Sequence, residues 1–444
     1  MKRLPAGVAF KKEESARSSL CGHEACGVLD CRMTIETKPH SRKLRIAFVL
    51  DTFTPSRGGE RYFAWLAHEL SRQGHDVHVY AMKIEEDPEA GYKTHPVPAW
   101  RFPKSLRLLS FFVNTRRIIR PGDFDIVHGV GGTAAMNVFN PHGGVEQAYL
   151  VQEFCSMTPW AYRVFRVLRR VLSLQHHLLL WIQRKQYLSG RVKRVIAISQ
   201  MVRKDILKRY GSLKEKVVVV FNAVDLDRFH PKHRMLYREP ARTSLGVSPE
   251  TVVMLFVGNN YRLKGLEPLL SAMSLLRQRF PGQPMRLLVA GRSRAGRYQR
   301  QARRLKIADQ VLFLGPVQEM EKYYAASDIY VHPTFYDSCS LTVLEALASG
   351  LPVVTSRFNG AADAIHSDEG GKIVTDPWNV AELAEALAYY FDEGRRTRAR
   401  TVTRQWMEKF PPRRNLEETL NVYEDVVREE ARSRQGQGSY YNKK

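Results

Sequence analysis

The sequence lacks a long apolar run, a disulfide framework and a secretory leader. The most apolar stretch, LSLQHHLLLWIQ, is interrupted by polar residues and is shorter than the ~20 residues that cross a bilayer. Five cysteines in 444 residues are too few for a disulfide scaffold, and the N-terminus has no apolar core segment. We therefore expect a cytoplasmic chain with free thiols, either in solution or peripheral on the cytoplasmic face of the inner membrane.

Metal-binding patterns carry little signal. Three cysteines and a histidine lie near the N-terminus, but their spacing matches no common zinc-ligand pattern; they are Cys21, His23, Cys26 and Cys31. We assign no carboxylate cluster to a metal ion. The sequence thus predicts no metal site and no resident cofactor.

Negative charge is scarce relative to positive charge. The chain has 69 Lys and Arg against 45 Asp and Glu, a formal net charge of +24. Such an excess favours an anionic partner, which is a phosphate group, a nucleic acid or an acidic membrane surface. No RNP-like, KH or helix-turn-helix signature accompanies the charge, so nucleic-acid binding is the least favoured of the three.

What the sequence has in quantity is strand-like apolar runs that alternate with helical segments. LRIAFVLD, DVHVYAMK, DIVHGV, MNVFN and RVIAIS precede a polar stretch, after which TVVMLFVGN, MRLLVAGR, QVLFLGP, IYVHPT, LPVVTS and GKIVTD repeat the pattern. Continuous apolar runs of this length are typical of parallel sheets buried on both faces. The sequence predicts two α/β, doubly wound, Rossmann-like domains with a ligand between them.

The expected segments follow from these runs. They are an extension at 1–42, for which Met33 is an alternative start, a first domain at 43–230, a second domain at 231–412, a helix at 413–430 and a disordered tail at 431–444.

In the first domain, two loops at strand ends hold candidate ligand contacts. Gly58 and Gly59 separate the first strand from a helix, where backbone N–H groups can approach a phosphate or a sugar. This is not G-x-G-x-x-G, and the second strand ends in Lys83 instead of a ribose-binding acid, which argues against a dehydrogenase. The loop PHGG places His142 at a strand's carboxyl end.

In the second domain, two loops carry charge. FVGNNYRLKG brings Arg262 and Lys264 to the start of a helix, a pair suited to a diphosphate leaving group. Further along, Asp337 precedes a helix opened by Ser340-Leu341-Thr342, whose free N–H groups suit phosphate, and Glu345 lies about one turn in. We interpret the two carboxylates as contacts for one hydroxylated ring each, with phosphate between them.

Together these motifs resemble the retaining GT-B glycosyltransferases of family 4, including the glucosyltransferases of lipopolysaccharide core. The resemblance runs from about Leu44 to Glu430 and rests on PSRGGERYFAWLAHELSRQGHDVHVY, NPHGG, FVGNNYRLKG and AASDIYVHPTFYDSCSLTVLEALASGLPVVTS. It implies two domains facing across a cleft, with the acceptor on the first domain. A nucleotide-diphosphate sugar, UDP-glucose or similar, would bind the second domain as co-substrate without a metal.

The resemblance also assigns roles to individual residues. The implied catalytic residues are His142, Arg262, Lys264 and Asp337, and the implied donor-binding residues are Gly58, Gly59, Arg262, Lys264, Ser340, Leu341, Thr342 and Glu345. Glu345 corresponds to the ribose-binding second acid of an E-x7-E motif, whose first acid is here Asp337. A second departure is Ala223, where N-G-V-D is usual.

The acceptor side is less sharply marked. Between Arg163 and Arg209 the sequence has thirteen Lys and Arg against one acid, interleaved with Trp160, Phe165, Leu168, Leu172 and Trp181. This favours an anionic membrane surface and a saccharide or lipid-linked saccharide acceptor, although packed helices with basic outer faces would give the same pattern. A sugar-nucleotide epimerase would share the two-domain architecture and remains the alternative enzyme class.

Overall fold

A computed structural model describes residues 42–54, 58–85, 91–158 and 160–441. The expected N-terminal extension up to residue 41, with Met33 and the three early cysteines, lies outside the described residues. Within them the chain forms two parallel sheets, each flanked by helices. The predicted α/β class is therefore confirmed.

The first sheet has seven strands in the described part of the chain, in the order β3-β2-β1-β4-β5-β6-β7. The strands are β1 (Arg45–Phe53), β2 (Asp76–Ile84), β3 (Lys93–Pro96), β4 (Ile126–Gly129), β5 (Val138–Phe139), β6 (Arg194–Ala197) and β7 (Val217–Val219). The helices are α1 (Gly58–Arg72), α2 (Lys104–Ile118), α3 (Glu146–Cys155), α4 (Trp160–Val171), α5 (Leu174–Tyr187) and α6 (Gln200–Arg209). The strand order reverses between β1 and β4, which is the switch point where such sheets bind ligands.

The second sheet has six described strands in the order β10-β9-β8-β11-β12-β13. They are β8 (Val252–Val257), β9 (Met285–Ala290), β10 (Val311–Gly315), β11 (Ile329–His332), β12 (Val353–Ser356) and β13 (Gly371–Val374). The helices are α7 (His233–Ser244), α8 (Leu266–Arg279), α9 (Gly296–Arg304), α10 (Met320–Ala326), α11 (Leu341–Ala348), α12 (Val380–Ala388), α13 (Glu393–Met407) and α14 (Pro412–Tyr441). Here the order reverses between β8 and β11.

Strand β3 was not predicted from the sequence. Its residues, KTHP, are polar and partly exposed, because β3 is the edge strand and pairs only with β2 among the described strands. The apolar-run criterion finds central strands, such as β1, whose residues Ile46–Leu50 are all buried.

Helix α14 returns from the second domain to the first. Its residues Leu416, Leu420 and Val426 lie in the core of the first sheet. The Tyr423 hydroxyl is 2.7 Å from Nδ1 of His128, a residue of β4. The sequence predicts a disordered tail from residue 431, whereas α14 is described to Tyr441. The run REEARSRQ has good helix propensity, which outweighs the two glycines that suggested disorder.

Among the described residues, no helix combines the length and the apolarity needed to cross a bilayer.

Truncating a core residue of α14 tests whether this helix belongs to the first domain. We expect Leu420→Ala to lower the free energy of unfolding of the first domain by about 2–5 kcal/mol, because a buried leucine leaves a cavity. Urea titration measures the effect. Arg428→Ala, on an exposed face of the same helix, should change stability by about 0.5 kcal/mol or less. Equal midpoints for the two variants would contradict the packing.

Candidate active site

The carboxyl ends of β5 and β11 meet across the cleft between the two sheets. The Ser338 hydroxyl, on the loop after β11, donates a hydrogen bond of 2.7 Å to the His142 carbonyl oxygen on the loop after β5. The Ser199 hydroxyl, after β6, donates to the Ser338 carbonyl oxygen at 2.8 Å. These contacts bring the two predicted site loops together.

His142 is partly buried at the first-domain wall of the cleft. Its ring stacks on Tyr62 at a centroid distance of 5.5 Å and meets Phe63 edge-on. A Cβ atom at Gly59 would lie 3.4 Å from its Cδ2 atom, so the first turn of α1, which contains both predicted glycines, lies against the imidazole. Burial lowers the pKa of His142 to about 4, and its Nδ1 atom has no partner in the described part of the chain. The ring is therefore a neutral hydrogen-bonding group suited to an uncharged ligand such as a sugar.

Asp337 and Lys264 form a partly buried ion pair on the opposite wall. Lys264 Nζ donates to Asp337 Oδ2 at 2.5 Å, and His332 Nε2 lies 3.3 Å from the same oxygen. Burial alone would raise the pKa of Asp337, but Lys264 and His332 outweigh it and hold the pKa well below its usual range. Asp337 is thus an anion in the closed cleft, as a hydroxyl acceptor requires.

Arg262 and Lys264, which the sequence predicts as a diphosphate pair, have different acidic partners in the structure. The Arg262 guanidinium contacts Glu153 of α3, across the cleft, at 3.2 Å. Glu153 also pairs with Arg170 at 2.8 Å and lies 3.8 Å from Arg166. The reason is that Glu153 is almost fully buried, and a buried carboxylate requires cationic partners from whichever domain can supply them.

The start of α11 has the geometry that the sequence predicts. Ser340 is the N-cap residue in an extended conformation, and its N–H donates to Asn359 Oδ1 at 3.3 Å. The Tyr330 hydroxyl donates to Thr342 Oγ1 at 2.7 Å and fixes the first turn. The first N–H groups of a helix have no intrahelical acceptor, so this turn can hold a phosphate.

Glu345 lies one turn further along α11 and is partly buried. Its Oε2 atom accepts a hydrogen bond of 2.8 Å from the Tyr324 hydroxyl. Burial raises the pKa of Glu345 to about 7, while Tyr324, Arg61 and Arg228 act in the opposite direction. The carboxylate is therefore poised to ionise when a ligand supplies hydrogen-bond donors.

A cavity of about 340 Å³, here called the donor cavity, opens onto Glu345. It lies between α11, helix α1 of the first domain and the loop after β7. Its lining residues are Arg61, Tyr62, Trp65, Ala223, Val224, Asp225, Arg228, Phe229, Leu341, Thr342, Glu345 and Pro412. Ala223, the departure from N-G-V-D, thus contributes directly to the wall of this cavity.

Several contacts of the site carry no strong sequence signal. Glu153 and Tyr336 both reach across the cleft, and Tyr324 holds Glu345, but each occupies a helix or loop position where many residue types occur. A partial signal exists for Tyr336, because it precedes Asp337 and its hydroxyl fills the space beside Gly144 of PHGG. Residues 42–54, 58–85, 91–158 and 160–441 contain no group of His, Cys, Asp and Glu arranged to hold a metal ion.

The raised pKa of Glu345 predicts a pH-dependent affinity for nucleoside diphosphates. The carboxyl is partly protonated near pH 7 in the free protein, and ribose hydroxyls favour its ionised form. Affinity for uridine diphosphate should therefore rise as pH increases from 6 to 8, by up to about tenfold per pH unit below pH 7.

Isothermal titration of Glu345→Gln provides the check. The variant should bind about ten- to hundredfold more weakly at pH 8, because a charged hydrogen-bond acceptor is lost. Its remaining pH dependence reports the ligand's own phosphate titration. An unchanged affinity would contradict the predicted contact between Glu345 and the ribose.

Two family models match the chain. The model described as Glycosyltransferase Family 4 matches residues 56–228, and the model described as Glycosyl transferases group 1 matches residues 251–393. One match therefore lies on each sheet, and together they include all the predicted site residues.

Curated relatives with two different activities resemble the chain. D-inositol 3-phosphate glycosyltransferase 2 of Catenulispora acidiphila is 36% identical over 206 residues, which is 44% of this chain and 47% of that protein. The chain thus spans about half the length of this relative. Lipopolysaccharide glucosyltransferase WaaG of Escherichia coli is 22% identical over 342 residues, which is 77% of this chain and 88% of WaaG.

Solved structures agree with the architecture. The crystal structure of WaaG aligns with a TM-score of 0.71 at 21% identity and covers 84% of this chain and 98% of its own. Anabaena HepE in complex with UDP-glucose aligns with a TM-score of 0.60 at 16% identity, covering 87% and 99%. The fold is GT-B, and the chain belongs to the family 4 (group 1) glycosyltransferases.

Proposed function

We propose that the protein transfers a hexose, with retention, from a UDP-glucose-like donor to a saccharide or lipid-linked saccharide acceptor. The process would be cell-envelope polysaccharide or lipopolysaccharide biosynthesis. The observation that carries the proposal is the arrangement on one helix N-terminus: Asp337 before α11, open N–H groups at its first turn and Glu345 in the donor cavity. In chain order, these three features are suited to contact the sugar, the diphosphate and the ribose of the donor.

The relatives support the donor and the process. HepE has been solved with UDP-glucose, and WaaG carries the name of a lipopolysaccharide glucosyltransferase. The inositol phosphate enzymes show that related chains use a different acceptor. We therefore base the donor class on the site and treat the acceptor as a separate question.

The transfer step assigns a task to each wall of the cleft. The acceptor oxygen forms a new bond to the anomeric carbon on the face that the diphosphate leaves, and the bond from that carbon to the phosphate oxygen breaks with its electron pair. The acceptor proton passes to the departing phosphate oxygen. Lys264 and the first turn of α11 stabilise the negative charge that develops there, while His142 and Asp337 hold sugar hydroxyls.

Charge stabilisation in this scheme requires no metal ion. Lys264 pairs with Asp337 just before α11, and Arg262 becomes a second cation for the diphosphate only when it leaves Glu153. We assign the diphosphate to Lys264 and α11, with Arg262 as a contact of the cleft.

Transfer should retain the anomeric configuration of the donor and persist in EDTA. A panel of nucleotide sugars and saccharide acceptors, followed by proton NMR of the first product, measures both properties. An inverted product, or activity lost in EDTA and restored by a divalent ion, would contradict this scheme. Conversion of the donor sugar to an epimer without acceptor would favour the epimerase alternative.

Part of the basic surface expected to meet a membrane is paired within the protein. Arg166 and Arg170 lie beside Glu153 and are only partly exposed. Helix α4 and the turn into α5 instead expose apolar side chains, which we call the α4 apolar surface. Its members are Trp160, Phe165, Leu168, Val171, Leu172 and Leu174, each more than half exposed.

We propose that the α4 apolar surface inserts into an anionic leaflet. An apolar helix face flanked by cations lies in the membrane interface, and Arg169 is exposed on the same helix. The positive charge of the whole chain adds long-range attraction to an acidic surface. Insertion buries apolar side chains, and salt does not screen this part of the binding free energy.

Vesicle co-sedimentation tests this membrane contact. Phe165→Ser with Leu172→Ser should reduce binding to vesicles of anionic phospholipid by about tenfold or more, since each exposed side chain loses ~1.5 kcal/mol of burial. Arg169→Glu should weaken binding mainly at low salt. Met235→Ser, which removes an equally exposed apolar side chain from α7 of the second domain, is the matched control. Wild-type protein that ignores such vesicles would exclude a lipid partner for this surface.

A further inference from the structure

A second cavity, of about 660 Å³, lies between α3, α6 and the loops after β11 and β12. We call it the α3–α6 cavity. Its volume falls in the range of small-molecule sites, and it lies at the interface of two domains, where such sites are common. None of the predicted donor residues lines it, because Glu345, Leu341 and Thr342 line the donor cavity. It is therefore a separate compartment of the cleft.

The wall of the α3–α6 cavity is continuous with the reaction centre. Tyr336, which lines the cavity, precedes Asp337, and Phe358, which also lines it, accepts a hydrogen bond of 2.9 Å from the Asp337 N–H through its carbonyl oxygen. The Tyr336 hydroxyl accepts a bond of 3.3 Å from the N–H of Val145, three residues after His142. The same backbone segments thus shape both the sugar contacts and this cavity.

Gly144 leaves the space that the Tyr336 hydroxyl needs to reach the Val145 N–H. It has a φ of +84°, and a Cβ atom there would lie 2.1 Å from the Tyr336 hydroxyl oxygen. The second glycine of PHGG is therefore required for Tyr336 to seat, which explains a motif residue that the donor contacts leave unused.

The α3–α6 cavity is lined by apolar side chains and has exposed cations around its opening, which we call the rim. Val145, Ala148, Met201 and Phe358 provide apolar contacts, and three exposed cations surround the opening; these are Lys208, Arg209 and Arg357. The one acid in the lining, Asp205, accepts a hydrogen bond of 3.4 Å from the Tyr336 hydroxyl. The rim therefore has an excess of positive charge, which suits a ligand that joins a ring or chain to an anionic group.

We propose that the α3–α6 cavity binds the acceptor through an anionic substituent, with the acceptor's apolar or ring portion against α3 and Phe358. This inference rests on the proposed transferase function, since it supplies that reaction's second substrate. It restricts the acceptor to anionic saccharides or anionic lipid-linked saccharides. The substituent is a phosphate or a carboxylate, which share the same recognition chemistry.

Small aromatic probes test the inference without knowledge of the natural acceptor. Phenyl phosphate, benzoate and the neutral phenyl β-glucoside are titrated by ligand-observed NMR against the full chain saturated with uridine diphosphate. Phenyl phosphate or benzoate should bind, and the stronger of the two identifies the substituent. The neutral glucoside should bind more weakly than the stronger anion, because it makes no ion pair at the rim.

Charge-removing variants locate the binding. Lys208→Gln with Arg209→Gln should weaken binding of the better anionic probe by about tenfold, and Arg357→Gln should act in the same direction. All three side chains are exposed, so their loss does not disturb the core. Lys204→Gln removes a charge from the same helix outside the cavity lining and should leave the affinity unchanged.

The outcomes separate this inference from the proposed function. Probe affinity that is insensitive to the rim variants, probe binding that occurs only when uridine diphosphate is left out, or equal binding of the neutral glucoside would each overturn the acceptor assignment. Glu345→Gln should weaken uridine diphosphate and leave the probe unaffected. Absence of nucleotide binding in the wild-type chain would instead overturn the proposed function, whatever the probe does.

Discussion

The ion pair between Lys264 and Asp337 fixes the geometry of the cleft. Both side chains are more than four-fifths buried, and a buried carboxylate is stable only when opposite charge and hydrogen bonds compensate its lost hydration. Because Asp337 is held in this way, its neighbours Tyr336 and Ser338 reach Val145 and the His142 carbonyl of the other domain. One electrostatic contact in the second domain therefore sets the position of both walls.

The same pair makes donor binding an exchange of partners. A diphosphate at the first turn of α11 contacts a lysine that is already paired with Asp337. The free energy gained on binding is therefore only the difference between the two ion pairs. Arg262 is in the same situation with Glu153, which is shared by three guanidinium groups. The charges of Lys264 and Arg262 are thus compensated internally, and a ligand at α11 must offer better geometry as well as charge.

Strand positions and the α11 helix start could be predicted because they depend on local patterns. Runs such as IYVHPT identify buried parallel strands, and Ser340 followed by a short apolar helix identifies an N-terminus. The partners of Arg262 and Arg166 could not be predicted, since they depend on Glu153, which is more than 100 residues from Arg262 and becomes a buried acid only after the domains meet. The edge strand β3 and the part of α14 after residue 430 were not predicted, because polar residues weaken both patterns.

The packing of α14 against the first sheet affects the order in which the two domains fold during translation. The core of the first sheet includes Leu416, Leu420, Tyr423 and Val426, so it lacks these side chains until α14 has left the ribosome. The second sheet and its helices are translated before α14 and have a core of their own. The domain that is synthesised second can therefore complete its folding first, while the first domain waits for α14 to emerge.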